Sequence, residues 1–170
     1  MNTFTDRQKN ENRMWDKHKE LIKNTLTKNS KDATLERITG ILDFDCAIDA
    51  VCKLPELGIY QIRFVSLRML NNNYNHFTFR IPSTKAPKEL FKLLSPYNPT
   101  PYYHVQITEG NQGLQIAVLD LHKLSIYIKE NPSFWETIQR YIKVGERNDY
   151  YNIPMSKFER FMMIKHISTT

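Results

Sequence analysis

Three residues on two successive extended segments could do chemistry together. Asp49 lies in the alternating run "DFDCAIDAVCK", and Gln61 and Arg63 lie two apart in "GIYQIRFVS". Side chains two apart on a strand share a face, so Gln61 and Arg63 point the same way. A turn centred near Pro55 sets Asp49 opposite Gln61, with Asp45 further along the same side. A carboxylate and an amide oxygen so placed, with the backbone carbonyl between Gln61 and Arg63 close by, make an oxygen-rich site of the kind Mg²⁺ prefers. A metal held by Asp49 and Gln61 would activate water and stabilise charge on a phosphodiester. The planar fork of Arg63 would face the phosphate, whose oxygens it matches. The same residues also allow a plainer outcome, an Asp49–Arg63 ion pair across a half-buried sheet.

These side chains have to be held by a regular scaffold, and the pattern of the chain supplies one. Residues 5–28 carry Met14, Trp15, Leu21, Ile22 and Leu26 near helical spacing, with Thr5 or Asp6 as a cap. "NSKDAT" breaks that pattern, "ERITGILDF" reads as extended, and "LPELG" is the turn before the strand "IYQIRFVSLRML". "NNNYN" is a loop, and "HFTFRIP" is a further strand returning from it. "TKAPKELFKLLSPYNP" predicts a short helix with Pro87 in its first turn and an end before Pro96. "YYHVQITEG" and "LQIAVLDLHKL" are strands joined at "GNQG", and "HKLSIYIKE" and "PSFWETIQRYIKV" are helical. The tail "DYYNIPMSKFERFMMIKHI" is expected to end in a short amphipathic helix capped by Ser156. This order of elements predicts an α/β or α+β fold around a mixed sheet, read as a single α/β domain over residues 1–170 with a central mixed sheet flanked by helices.

The segment "DFDCAIDAV...GIYQIRFVS" resembles the hairpin of the PD-(D/E)XK, or restriction-endonuclease-like, nucleases. In that family an Asp ends one strand, an acid-x-Lys triplet lies on the next, and a Glu on the preceding helix often completes the site. The resemblance implies a restriction-endonuclease-like core over about residues 10–120, followed by a helical extension over about 121–170. It matches Asp49 to the motif's Asp, Gln61 to its second acid, Arg63 to its Lys and Glu20 to the helical Glu, with Glu11 as the alternative. It implies a Mg²⁺-dependent DNA endonuclease, with DNA as partner and a homodimer as a compatible assembly. Gln in place of the acid keeps a ligating carbonyl but removes a negative charge. Arg in place of Lys can position or neutralise phosphate but cannot act as a base, its pKa lying above about 12. A non-catalytic nucleic-acid-binding or protein-interaction module on the same fold is therefore the alternative.

Charge fits an anionic partner: 24 Lys and Arg against 18 Asp and Glu give a formal +6. Lys85, Lys88 and Lys92 fall along one side of the predicted short helix, and with Arg68 and Arg80 they could follow a DNA backbone. A solvated basic face is the bland alternative. Tyr102, Tyr103, Tyr150 and Tyr151 could stack on unpaired bases, although core or rim packing is the commoner use of such residues. "HFT" at 76–78 has the His-x-Thr form of phosphoesterases that pair two such motifs on facing strands, but the nearest second motif, "HVQ" at 104–106, has Gln in place of the hydroxyl, and histidines packed in a sheet are the plainer outcome.

Other chemistry is poorly supported. There are only 5 Gly and no phosphate-cradling loop of P-loop type. Cys46 and Cys52 share a strand face and lie too far apart along it to bridge, so they read as reduced core thiols, and no zinc-ligand spacing accompanies them. The first residues lack a signal-peptide core, and no run of about 18 apolar residues occurs. A cytoplasmic protein of phage or mobile-element type is the expectation.

Overall fold

Met14, Trp15, His18 and Ile22 recur at helical spacing and are buried along one side of helix α1, Phe4–Thr27. The computed structural model describes residues 4–38, 48–55, 58–68, 75–80, 101–111, 113–139 and 150–168. Lys28 and Asn29 end α1 with φ of 51° and 65°, and the Asn29 N–H closes on the Asn24 carbonyl at 3.1 Å. Asn adopts this left-handed conformation readily, whereas Lys is rare there.

Among the described residues, eight strands form two sheets. They are β1 (Thr34–Arg37), β2 (Ala50–Leu54), β3 (Gly58–Arg68), β4 (His76–Arg80), β5 (Tyr103–Gly110), β6 (Gly113–Asp120), β7 (Tyr150–Pro154) and β8 (Met162–Ser168). The main sheet has six strands in the order β1-β2-β3-β5-β6-β8, and β4 and β7 form a separate two-stranded ribbon. β1, β2 and β3 are an antiparallel meander, β5 runs parallel to β3, and β6 and β8 continue antiparallel. The domain is thus α/β with a mixed sheet, as the order of elements predicts.

Strand alternation sends side chains to two cores. On one face Ala50, Cys52, Ile62, Phe64, Val105, Ile107, Ile116 and Val118 pack with the α1 stripe. There Trp15 meets Phe64 edge-on at 5.3 Å between ring centroids, and the Arg37 guanidinium lies 5.7 Å from the Trp15 ring. On the other face Ala117 and Leu119 pack with Phe77 and Phe79 of β4, Ile153 of β7, Phe158, and helices α2 (Leu121–Glu130) and α3 (Pro132–Gln139). Asp120 caps α2 by accepting the Lys123 N–H at 2.9 Å, and Leu121, Leu124 and Ile128 turn its apolar side inward. Asn131 ends α2, and Pro132 opens α3, where its missing N–H costs no helical bond.

Three expectations are corrected. β4 is the expected strand but lies outside the central sheet, in the ribbon with β7: Phe77 faces Ile153 across that ribbon and both are buried. The tail is no helix. After two short 3-10 turns around the buried Phe158, Met162–Ser168 forms edge strand β8 on β6, where the sequence predicts a short amphipathic helix. The β2–β3 register is shifted by two residues: Val51 faces Gln61, because Leu54 pairs with Gly58 and the pairing is centred one residue beyond Pro55. Gly58 has φ of 94°, which glycine adopts without strain. An even shift keeps every side chain on its expected face. The short helix after β4, together with Asp45, Cys46, Lys85, Lys88 and Lys92, lies outside the described residues. Arg68 and Arg80 are the last residues of β3 and β4.

Candidate functional site

Asp49 sits immediately before β2, where the strand meets its neighbours on both sides. Its N–H donates to the Ile62 carbonyl and its own carbonyl accepts the Ile38 N–H, each at 2.9 Å. With the register shifted, its side chain falls beside Arg63. Arg63 Nη1 donates to Asp49 Oδ1 at 3.0 Å and to Oδ2 at 2.9 Å, and the Phe64 N–H donates to Oδ2 at 2.7 Å. The regular β2 ladder begins at Ala50, so the Asp49 carboxylate takes up an N–H of β3 that lies just past the ladder's start. The two side chains are only 12% and 18% exposed, Asp49 and Arg63 respectively, which leaves their charges to compensate each other away from bulk water.

Gln61 shares the face of Asp49 and Arg63, half-buried beside Val51. Glu20 does not join them. α1 lies against the opposite face of the sheet, and the Glu20 side chain is 67% exposed and ion-paired with Lys23 at 2.6 Å. That pairing holds its carboxyl below the usual range. The fit to a Mg²⁺ site is consequently poor: the Asp49 carboxylate already accepts three hydrogen bonds and faces a guanidinium, and among the described residues no metal-binding group forms around it. Among the described residues no group of three His, Cys, Asp or Glu side chains is placed to hold a metal.

Next to Arg63 across the parallel β3–β5 pair stands His104, followed along the same face of β5 by Gln106 and Thr108. His104 is 1% exposed, with the Phe79 ring at 4.8 Å and the Phe77 ring at 5.7 Å. Burial, aided by the Arg63 charge, pushes its pKa down to about 3, so the imidazole is neutral. Gln106 is the link between the two sheets. Its Oε1 accepts the Thr78 N–H and hydroxyl, both at 3.1 Å, and its Nε2 donates to the His76 carbonyl at 2.7 Å.

The His-x-Thr segment and "HVQ" therefore do meet, but through Thr78 and Gln106, with His104 enclosed between aromatic rings. Such a histidine has no access to a substrate in solvent. Sequence reading missed the clamp itself; the local signal was a glutamine between Val105 and Ile107 in the run "HVQI". Gln106→Leu keeps much of the volume but strands two donors and an acceptor. It is expected to cost about 2 kcal/mol in urea unfolding and to speed hydrogen exchange at the Thr78 amide. On α1, Lys17 pairs with Glu109 of β5 and holds that carboxyl below its usual range, while burial lowers the pKa of the neighbouring His18.

Compared with known proteins, the chain matches no protein-family model, no curated protein and no solved structure. No helix among the described residues is long and apolar enough to cross a membrane.

Proposed function

We propose that this protein is a DNA-binding module on a restriction-endonuclease-like scaffold, in which the site residues hold strands together instead of holding a catalytic metal. The observation that carries the reading is the Asp49 carboxylate, which receives three hydrogen bonds from Arg63 and the Phe64 N–H. A metal would have to displace a charge-matched guanidinium from a mostly buried carboxylate, and Arg63 cannot replace the base that a lysine supplies. The scaffold half of the proposal is supported by topology. A helix precedes an antiparallel meander, a parallel strand follows beside β3, and the Asp and the Gln-x-Arg triplet fall on β2's entry and on β3. That order agrees with the core implied by the hairpin's resemblance.

DNA as the partner is supported by the formal charge of +6 and by exposed Lys9, Arg13, Lys19, Lys28 and Lys31 on and after α1. Arg68, Arg80, Lys85, Lys88 and Lys92 are the further phosphate-contact candidates. A second reading, Mg²⁺-dependent cleavage, is favoured by one feature: Asp49, Gln61 and Arg63 do share a face on adjacent strands. Gel-shift and supercoiled-plasmid nicking assays separate the two. The expected result is binding that weakens steeply as salt rises, with no nicking in Mg²⁺ or Mn²⁺ beyond that of Asp49→Asn. Metal-dependent nicking abolished by Asp49→Asn establishes the enzyme instead. Absence of any DNA binding removes both.

A further inference from the structure

Away from the Asp49–Arg63 pair, the end of α1 and the adjoining ends of β2, β3 and β5 enclose a cavity of about 210 Å³. Its walls are Leu26 and Thr27 of α1, Cys52 and Leu54 of β2, Tyr60 of β3 and Tyr103 of β5, with Lys28 at the helix end. Sites for drug-sized ligands run to roughly 300–1,000 Å³, so this cavity accepts one ring system and not a whole nucleotide cofactor. Tyr60 and Tyr103 stand 5.7 Å apart between ring centroids, and Tyr102 closes the cluster at 4.9 Å and 4.8 Å from them. Tyr102 is backed in turn by His122, stacked at 5.0 Å with 14° between the planes. The cluster thus offers ring faces and edges to an incoming planar group.

The wall is electrically neutral. Burial raises the Cys52 thiol, and burial together with Asp120 pushes the Tyr103 hydroxyl up to about 12, so both keep their protons at neutral pH. Thr27 spends its hydroxyl on the Lys23 carbonyl at 2.8 Å. Among the described residues the one charged side chain on the lining is Lys28, which is exposed. Lys28 is also one of the two non-glycine residues held at positive φ among the described residues, so the chain turns sharply where the cavity opens. An uncharged aromatic ring carrying an adjacent anion complements such a site: the ring enters and the anion stays at the mouth.

We propose that this cavity receives one unpaired nucleobase of a DNA strand, stacked on the Tyr60 and Tyr103 wall, with the neighbouring phosphate at Lys28. The inference rests on the DNA-binding reading and adds a preference for strands with an accessible base. It is tested on the full chain with a short oligothymidine, the same length of abasic backbone, and an oligothymidine carrying one 5-iodouracil for photocrosslinking. Tyr103→Ala and Tyr60→Ala are expected to weaken oligothymidine binding about 5- to 150-fold, the range for losing one stacked base. The corresponding Phe variants keep the ring and retain affinity. The abasic strand binds weakly and does not distinguish these variants from wild type, and crosslinks fall on Tyr60 or Tyr103. The crosslink site on the wild-type chain decides the matter even where an Ala variant does not fold. Equal affinity for the abasic strand, or crosslinks confined to other residues, overturns the inference while leaving the DNA-binding reading in place. If no DNA binds, duplex or single-stranded, both fall.

Discussion

Asp49→Ala is expected to cost roughly 3 kcal/mol of folding stability or more, the scale for stranding one member of a buried ion pair. The substitution removes two acceptors of Arg63 Nη1 and the acceptor of the Phe64 N–H at once. A guanidinium that is 18% exposed cannot recover its hydration without moving, and the Phe64 amide is left facing a methyl group. Asp49→Ala combined with Arg63→Met is expected to recover much of the loss, because the charge that needed compensation is gone and an unbranched apolar chain fills its place. Arg63→Met alone is expected to cost less than Asp49→Ala, since the Asp49 carboxylate keeps the Phe64 N–H. Urea unfolding of the three variants and wild type forms a double-mutant cycle, with an interaction term of about 2 kcal/mol expected. A term near zero means the pair is incidental to the strand junction, and it also reopens Asp49 as a carboxylate free to take a metal.

That experiment bears on function because stability and catalysis make opposite demands on Asp49. A metal ligand has to exchange partners during turnover, and it is best supported by a partner that can leave. Here the partner is a mostly buried guanidinium on β3, with His104 its register neighbour on β5. The resemblance of the hairpin to a nuclease site and the closed ion pair found within it are compatible if the scaffold has been kept and the chemistry lost. The exposed cations on α1 and the tyrosine-lined cavity at its end would then carry the binding.

Local periodicity made α1, the β2–β3 hairpin and the β5–β6 hairpin legible, because each buries a stripe or a face of its own: Met14, Trp15 and Ile22 on the helix, Val105 and Ile107 on β5. The faces of Asp49, Gln61 and Arg63 were readable too, since an error of two residues in register leaves alternation intact. Partnership was not readable. Nothing within "HFTFR" specifies pairing with Tyr150–Pro154 rather than with β3, since the groups that hold β4 are distant in sequence: Ile153 opposite Phe77 across the ribbon, and Gln106 of β5 on Thr78 and His76. β8 misled for a different reason. As an edge strand it is half solvated on both sides: Met163 is 50% and Ile164 38% exposed, so its apolar residues show no period of two. Glu20 was matched by its place on the first helix, but which face of the sheet that helix covers is decided by packing, and it covers the face away from Asp49.

His104 should make the protein markedly less stable as the pH falls below neutrality. In the unfolded chain its pKa returns to the ordinary 6.5, whereas in the fold burial and the Arg63 charge hold it at about 3. Between those values the unfolded state binds a proton that the folded state refuses, so stability falls with pH and does not rise. Each pH unit below about 6.5 costs about 1.4 kcal/mol, accumulating to roughly 4 kcal/mol near the lower value. Above about 6.5 both states are neutral and this contribution is flat. Carboxylates such as Glu109, whose folded pKa is lowered by Lys17, also lose stabilising interactions in acid, but only at lower pH, through the ordinary carboxylate range. His104→Leu separates the two effects, because leucine fits between Phe77 and Phe79 without a titrating group. Urea midpoints from about pH 7.5 down to about pH 4.5 are expected to fall more steeply for wild type than for His104→Leu, the curves separating just below the histidine's ordinary pKa. Parallel curves mean that the imidazole can be protonated in the folded protein. In that event the pocket between Arg63 and the phenylalanines opens to water, and His104 returns as a candidate acid or base beside Asp49.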